Sequence, residues 1–134
     1  MRVVWLYGLA GAGKTSEVFM NHEFDKIYVK EANDRWWDGY EQHEVILIDD
    51  FRKWHDFGNF LRLLDRWPYS GEIKGGTVKI NSKFCYITSD RPPENIWSGN
   101  DLEQVTRRID ELRLVGDPEI YRNEMAKNGK IYRF

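Results

Sequence analysis

The sequence holds a single cysteine, Cys85, among 134 residues. One thiol cannot close an intrachain disulfide, and this one lies inside an apolar run. It reads as a buried thiol of a reducing intracellular compartment. Long hydrophobic stretches are missing as well. The longest, Val3-Val4-Trp5-Leu6-Tyr7, is far too short to span a bilayer, so no membrane partner is expected. No signal-peptide pattern opens the chain, because the first apolar run leads straight into glycines. No charge sign dominates: 20 Lys and Arg meet 22 Asp and Glu, a net charge of −2. A wholly basic nucleic-acid coat is thereby excluded, and any nucleic-acid contact must be a local patch. Internal repeats, low-complexity tracts and polar linkers are absent too.

Aromatic residues are abundant at 15%, six of them Trp, which argues against disorder. The length suits one domain, residues 1–134, with one ordinary core. The first strand begins almost at Met1, as in a domain excised from a longer protein. Five short apolar runs read as strands: residues 3–7, 27–29, 45–48, 84–88 and 112–115. Several are continuously apolar, the pattern of parallel strands covered on both faces. Helices are expected at 14–21, 57–67 and 101–109. In the second, Phe57, Phe60, Leu61 and Leu64 share one face; in the third, Leu102, Val105 and Ile109 do. Alternating strands and helices imply an α/β fold. Residues 72–80 read as a hairpin insert around Gly75-Gly76. A second hairpin is expected in the C-terminal extension 116–134, with 121–125 pairing 130–134 across Asn128-Gly129.

Gly8-Leu9-Ala10-Gly11-Ala12-Gly13-Lys14-Thr15 fits the G-x-x-x-x-G-K-[ST] phosphate loop in full. Its four fixed positions would match by accident in roughly one chain in 200 of this length. The strand before it and the helix after it are the setting the motif requires. Glycines let the backbone come close to phosphates, and the helix N-terminus adds positive potential. Gly8, Gly11, Ala12, Gly13, Lys14, Thr15 and Ser16 are therefore the expected nucleotide contacts. Lys14 supplies a point charge and Thr15 a hard oxygen for Mg²⁺.

The run 45–48 ends in Asp49-Asp50. In open α/β sheets the ligand lies beyond the carboxyl ends of the strands, so these carboxylates should face the phosphate loop. Asp49 is assigned to the metal and Asp50 to the attacking water. Trp36, Trp37 and Tyr40 read as core packing ahead of base stacking. His22, His43 and His55 lack zinc-ligand spacing.

The ordered set Trp36-Trp37-Asp38-Gly39-Tyr40, 45–51, Lys74-Gly75-Gly76-Thr77-Val78, Ile87-Thr88-Ser89 and Arg107-Arg108-Ile109 resembles a known family. It is that of the superfamily 3 helicase domain of Rep proteins of circular single-stranded DNA viruses, circoviruses above all. The resemblance runs to about residue 115. It implies a P-loop NTPase with an AAA+-like core, a five-stranded parallel sheet and a hairpin insert. It also implies ATP with Mg²⁺ and DNA unwinding in rolling-circle replication. A homo-oligomeric ring, a hexamer, is implied for the full-length protein, in the host nucleus. The preceding nickase and oligomerisation segments are not among these 134 residues, so the isolated domain is expected to be monomeric.

By the same resemblance, 87–89 form the sensor strand between the other two motif strands. Arg107-Arg108 form the arginine-finger segment, with Arg108 favoured. Asp90 departs from the pattern, which has Asn there. An ionised Asp only accepts hydrogen bonds and repels phosphate, unless it is protonated or binds metal. Lys74, Lys79, Lys83 and Arg91 make the hairpin region a basic island. By itself that reads as a solvated hairpin guarding an edge; the resemblance makes it the contact for single-stranded DNA, Lys74 first. The leading function is an ATP-driven DNA helicase motor. The alternatives are a nucleotide kinase-type phosphotransferase and a nucleotide-binding assembly module that does not hydrolyse.

Overall fold

A computed structural model describes residues 1–127. Seven strands and four helices follow one another as β1 (Arg2–Tyr7), α1 (Lys14–Asn21), β2 (Ile27–Lys30), β3 (Val45–Ile48), α2 (Phe57–Leu64), β4 (Tyr69–Ile73), β5 (Gly76–Ile80), β6 (Phe84–Ser89), α3 (Gly99–Thr106), β7 (Glu111–Leu114) and α4 (Pro118–Lys127). Five strands form one parallel sheet in the order β2-β3-β6-β1-β7, and β4-β5 form a separate antiparallel hairpin. This is the AAA+-like α/β core that the resemblance implies, with β6 inserted between β1 and β3.

Both faces of the central strands β1, β3 and β6 are covered, which is why they are largely apolar without alternation, whereas β7 at the sheet edge alternates and is not buried. Val3 and Trp5 of β1, Ile46 and Ile48 of β3, and Cys85 and Ile87 of β6 face one layer. That layer holds Phe60, Leu63 and Leu64 of α2, Val105 of α3, and Tyr69 and Ile80 of the hairpin. Val4, Leu6, Val45, Leu47 and Tyr86 face the other layer, under Val18 of α1. Burial of the Cys85 side chain pushes its thiol up to about 12.

Helix α2 starts where Asp56 Oδ1 accepts the Asn59 amide at 2.9 Å, a side-chain cap. It ends at Leu64, short of the expected 67. Asp65 turns extended, and Pro68 disfavours helical geometry in the residue before it. Leu63 joins the buried face, which the expected stripe omitted.

The hairpin lies against Trp37. A Cβ on Gly71 would run into the indole, so glycine is what lets β4 pass so closely. Trp37 is fully buried, and Tyr28, Tyr40 and Tyr69 pack around it. The aromatic trio therefore reads as core at Trp37 and Tyr40. Trp36 is half-buried, with the Arg35 guanidinium 4.5 Å from its ring centre.

The C-terminal expectation is corrected. Residues 121–125, read as a strand, belong to α4. Asp117 Oδ1 accepts the Glu119 and Ile120 amides at 2.8 and 3.2 Å, so Asp117-Pro118 opens a capped helix. The proposed partner strand 130–134 lies outside the described residues.

Candidate functional site

Three strand ends meet at the carboxyl edge of the sheet, and β6 ties them together. The Gly8 amide donates to the Ser89 carbonyl at 3.1 Å, fixing the phosphate loop to the end of β6. The Ser89 hydroxyl donates to the Phe51 carbonyl at 3.0 Å. The Phe51 amide donates to the Thr88 carbonyl at 2.7 Å, fixing the turn after β3 to the same strand. Gly8 also passes under β7: a Cβ there would sit 2.5 Å from the Val115 carbonyl oxygen. Gly13 takes φ 103° at the start of α1, a conformation that disfavours any side chain.

Within this frame the polar groups converge on Asp49. Its Oδ1 accepts the Thr15 hydroxyl at 2.7 Å and the Thr88 hydroxyl at 2.6 Å. Thr88 is 1% exposed, and its hydroxyl oxygen also accepts the Asp50 amide at 2.9 Å. Asp50 takes φ 52°, a left-handed conformation that costs a non-glycine residue about 1–2 kcal/mol. The turn that bears this strain points the Asp50 carboxylate into solvent, 3.8 Å from the exposed Arg52 guanidinium.

The Lys14 ammonium donates to the Gly8 and Leu9 carbonyls at 2.6 and 2.9 Å. Burial pulls its pKa below the usual lysine range. The fields of Asp90, Asp50 and Asp49, in that order, oppose the shift. A cavity of about 590 Å³ opens over these groups, lined by Lys14, Thr15, Ser16, Asp49, Asp50 and Asp90. A smaller one of about 220 Å³ also adjoins the loop. Its walls are Leu9, Gly11 and Ala12 with Val115, Ile120 and Tyr121. Among the described residues no group of three His, Cys, Asp or Glu gathers to hold a metal. A divalent cation here would take Thr15 and Asp49 and complete its shell with phosphate and water oxygens, which suits Mg²⁺.

Asp90 is not a bare carboxylate. Its Oδ1 accepts Arg91 Nε at 2.9 Å and its Oδ2 accepts Nη2 at 3.3 Å. Arg91 therefore belongs to the turn after β6 and leaves the basic island. Of the remaining lysines, Lys74 stands at the hairpin tip, Lys79 on β5, and Lys83 just before β6; all three are exposed. Only Lys74 is at the tip itself.

Arg107 and Arg108 sit far from the phosphate loop of their own chain. They follow α3 and precede Asp110, which pairs with Val3 at the beginning of β1. Five residues of strand, about 17 Å, separate that point from Gly8. Arg108 is turned inward, donating to the Gln104 carbonyl at 2.8 Å and to Asp65 at 3.4 Å. Its neighbour Arg107 is exposed.

The sequence reading missed the hydroxyl of Thr88 as the bridge between the aspartates. It also missed the Asp90–Arg91 pair, the walls of the smaller cavity and Lys30. The Lys30 side chain is buried, with its ammonium 5.2 Å from the ring centres of both Trp37 and Trp54. Its only signal was a lysine ending an apolar strand.

A family described as RNA helicase matches residues 4–91. The Replication-associated protein of Porcine circovirus 1 is 36% identical over 111 residues, covering 81% of this chain and 36% of that protein. The one from Goose circovirus is 34% identical over 120 residues, covering 89% of this chain and 40% of that protein. The chain thus spans two-fifths or less of these relatives. Among solved structures, the S. cerevisiae Hsp104-ADP complex aligns with 96% of this chain and 26% of that one, at TM-score 0.54 and 16% identity. That likeness concerns the fold alone. Residues 4–91 run from the strand under the phosphate loop to the turn after β6, and a match across that whole span makes this NTPase-type chain a member of the RNA helicase family.

Proposed function

We propose that this chain is the ATP-hydrolysing motor of a viral replication initiator, unwinding DNA in rolling-circle replication. One observation carries the reading: Asp49 joins the phosphate-loop hydroxyl of Thr15 to the sensor-strand hydroxyl of Thr88 beside the Lys14 ammonium. Circovirus relatives at 34–36% identity support the viral and DNA-directed part.

Lys14 would leave the Gly8 and Leu9 carbonyls for the β- and γ-phosphates. Bound Mg²⁺ would supply further charge neutralisation, held by Thr15 Oγ1 and Asp49 Oδ1. Asp50, on its strained turn, would orient the attacking water and take its proton. The base would lie in the smaller cavity against Val115, Ile120 and Tyr121. A finger arginine cannot serve its own chain from the far end of the sheet, so it would act on a neighbour in a homo-oligomeric ring. The open side chain of Arg107 makes it the readier of the two. Lys74, at the hairpin tip, would meet single-stranded DNA by charge alone.

Asp90 favours one second reading, a module that binds ATP to cement a ring without turning it over. A DNA-stimulated ATPase assay on concentrated protein separates the two. Phosphate release that rises with single-stranded DNA supports the motor; nucleotide binding without release supports the module.

A further inference from the structure

We propose that Lys30 and Trp54 are positioning residues that tie the β4-β5 hairpin to the turn bearing Asp50, so that a strand bound at the hairpin sets the rate of hydrolysis. This rests on the reading of the chain as a DNA-directed motor.

Lys30 closes β2 and is 1% exposed. Its ammonium donates to the Glu31 carbonyl at 2.9 Å and to the Asp34 carbonyl, and among the described residues no carboxylate pairs with it. Burial lowers its pKa, and the fields of Asp34 and Glu31 oppose the shift. The remaining neighbours are two indoles, Trp37 and Trp54, whose ring centres each lie 5.2 Å from the ammonium. Both rings are buried, and a desolvated cation is held by such faces.

The two indoles belong to different parts of the fold. Trp37 goes with the hairpin. Its amide donates to the Glu72 carbonyl at 2.8 Å, and its ring fills the space that Gly71 leaves. At the hairpin tip the Lys74 amide donates to Oδ1 of the adjoining Asp38 at 3.2 Å. Trp54 goes with the turn after β3. Its indole N–H donates to Asn59 Oδ1 at 3.0 Å, and the Tyr69 hydroxyl of β4 donates to the same oxygen at 2.7 Å. The hairpin thus holds Trp54 twice, through Lys30 and through Asn59. On the other side, Phe51 is fixed to β6 by the Thr88 carbonyl and the Ser89 hydroxyl. Only Arg52 and Lys53 lie between these two anchorages, and both are exposed. The Arg52 guanidinium is 3.8 Å from the Asp50 carboxylate. A strand that displaces the hairpin displaces Trp54 relative to Phe51, and Arg52 shifts against Asp50. Coupling of this kind travels through packed, contiguous groups.

Hydrolysis by concentrated protein is measured with and without oligo-dT, together with the affinities for oligo-dT and for a non-hydrolysable ATP analogue with Mg²⁺. Lys30→Met fills the same slot without charge. It should cut the stimulation by oligo-dT about fivefold, while the basal rate and both affinities stay within about twofold of the wild type. Lys30→Arg keeps a cation between the rings and should retain most of the stimulation. Undiminished stimulation in Lys30→Met would overturn the inference. So would basal and stimulated rates that fall together with the Tm, the mark of a residue that only holds a loop. Oligo-dT affinity lost in step with the stimulation would equally overturn it, since Lys30 would then merely shape the hairpin. If Lys30→Met fails to fold, Trp54→Phe decides. It keeps an aromatic ring in the core and removes the N–H that meets Asn59, so the stimulation should fall at unchanged oligo-dT affinity; full stimulation there would sink the proposal. A wild type that hydrolyses ATP without any response to oligo-dT would overturn the motor reading and this inference with it.

Discussion

Thr88 does two things with one hydroxyl: it donates to Asp49 and accepts from the Asp50 amide. Replacing it with Val keeps the shape and removes both contacts in a buried place. Thr88→Val should therefore lower stability by about 1–3 kcal/mol. It should also weaken Mg²⁺-dependent nucleotide binding, because Asp49 loses half of its anchorage. Chemical denaturation and a Mg²⁺ titration read the two effects separately. The paired aspartates should differ in the same assays. Asp49→Asn should weaken Mg²⁺-dependent binding, whereas Asp50→Asn should leave nucleotide bound and slow its hydrolysis. The reverse pattern would exchange their roles. Lys14→Ala should remove most of the stabilisation that ATP–Mg²⁺ confers in a thermal shift. Cys85 yields a sign that can be worked out. Burial raises its pKa to about 12, so the unfolded thiol ionises first as pH climbs from about 9. In that window the folded state binds more protons, and this residue's contribution to stability falls as pH rises. A thiol reagent should accordingly label Cys85 only when the chain unfolds; rapid labelling of native protein would contradict its burial.

At the scale of elements, the central strands were legible because covering both faces of a parallel sheet leaves no polar residue in their middles, which does not hold for the edge strand β7 with its Arg113. Residues 45–48 read as a strand for that reason, and every one of them is buried. The phosphate loop was legible because its chemistry demands fixed residue types at fixed spacing. What stayed hidden depends on contacts between distant segments. Nothing near Thr88 says that its hydroxyl meets Asp49, because that contact exists only once β6 enters between β1 and β3. Helix α4 was lost for another reason: Asn128-Gly129 outweighed the start signal Asp117-Pro118-Glu119, which the structure uses. The hairpin offers the test at this scale. Lys74→Ala should weaken single-stranded DNA binding and reduce the slope of log affinity against log salt by about one unit or less. Lys83→Ala, lying beyond the hairpin, should do less in the same titration. Equal effects would mean that DNA follows the whole basic edge and not the tip.

For the whole molecule, the decisive fact is that the arginines and the phosphate loop occupy opposite ends of one sheet. A chain built this way cannot bring Arg107 or Arg108 to its own nucleotide without unfolding β1 or β7, because Asp110 binds Val3 and Val115 binds Tyr7. Any catalytic use of these arginines therefore requires a second copy, and hydrolysis should rise more than linearly with protein concentration. The two arginines should then separate by what else they hold. Arg107 is exposed, so Arg107→Ala should flatten the concentration dependence and leave the Tm almost unchanged. Arg108 is tied to Asp65 and to the Gln104 carbonyl, so Arg108→Ala should lower stability by about 1–3 kcal/mol through the partners it abandons. Its effect on rate should then follow the loss of folded protein more than the loss of a cation. Measuring rate against concentration from nanomolar to high micromolar, with a melting curve for each variant, distinguishes these outcomes. If Arg108→Ala flattens the curve at full stability, Arg108 is the residue that crosses, and the Asp65 pair must open when subunits meet. A specific activity constant over that range, and indifferent to both substitutions, would mean that each chain hydrolyses alone and that the far end of the sheet has no part in catalysis.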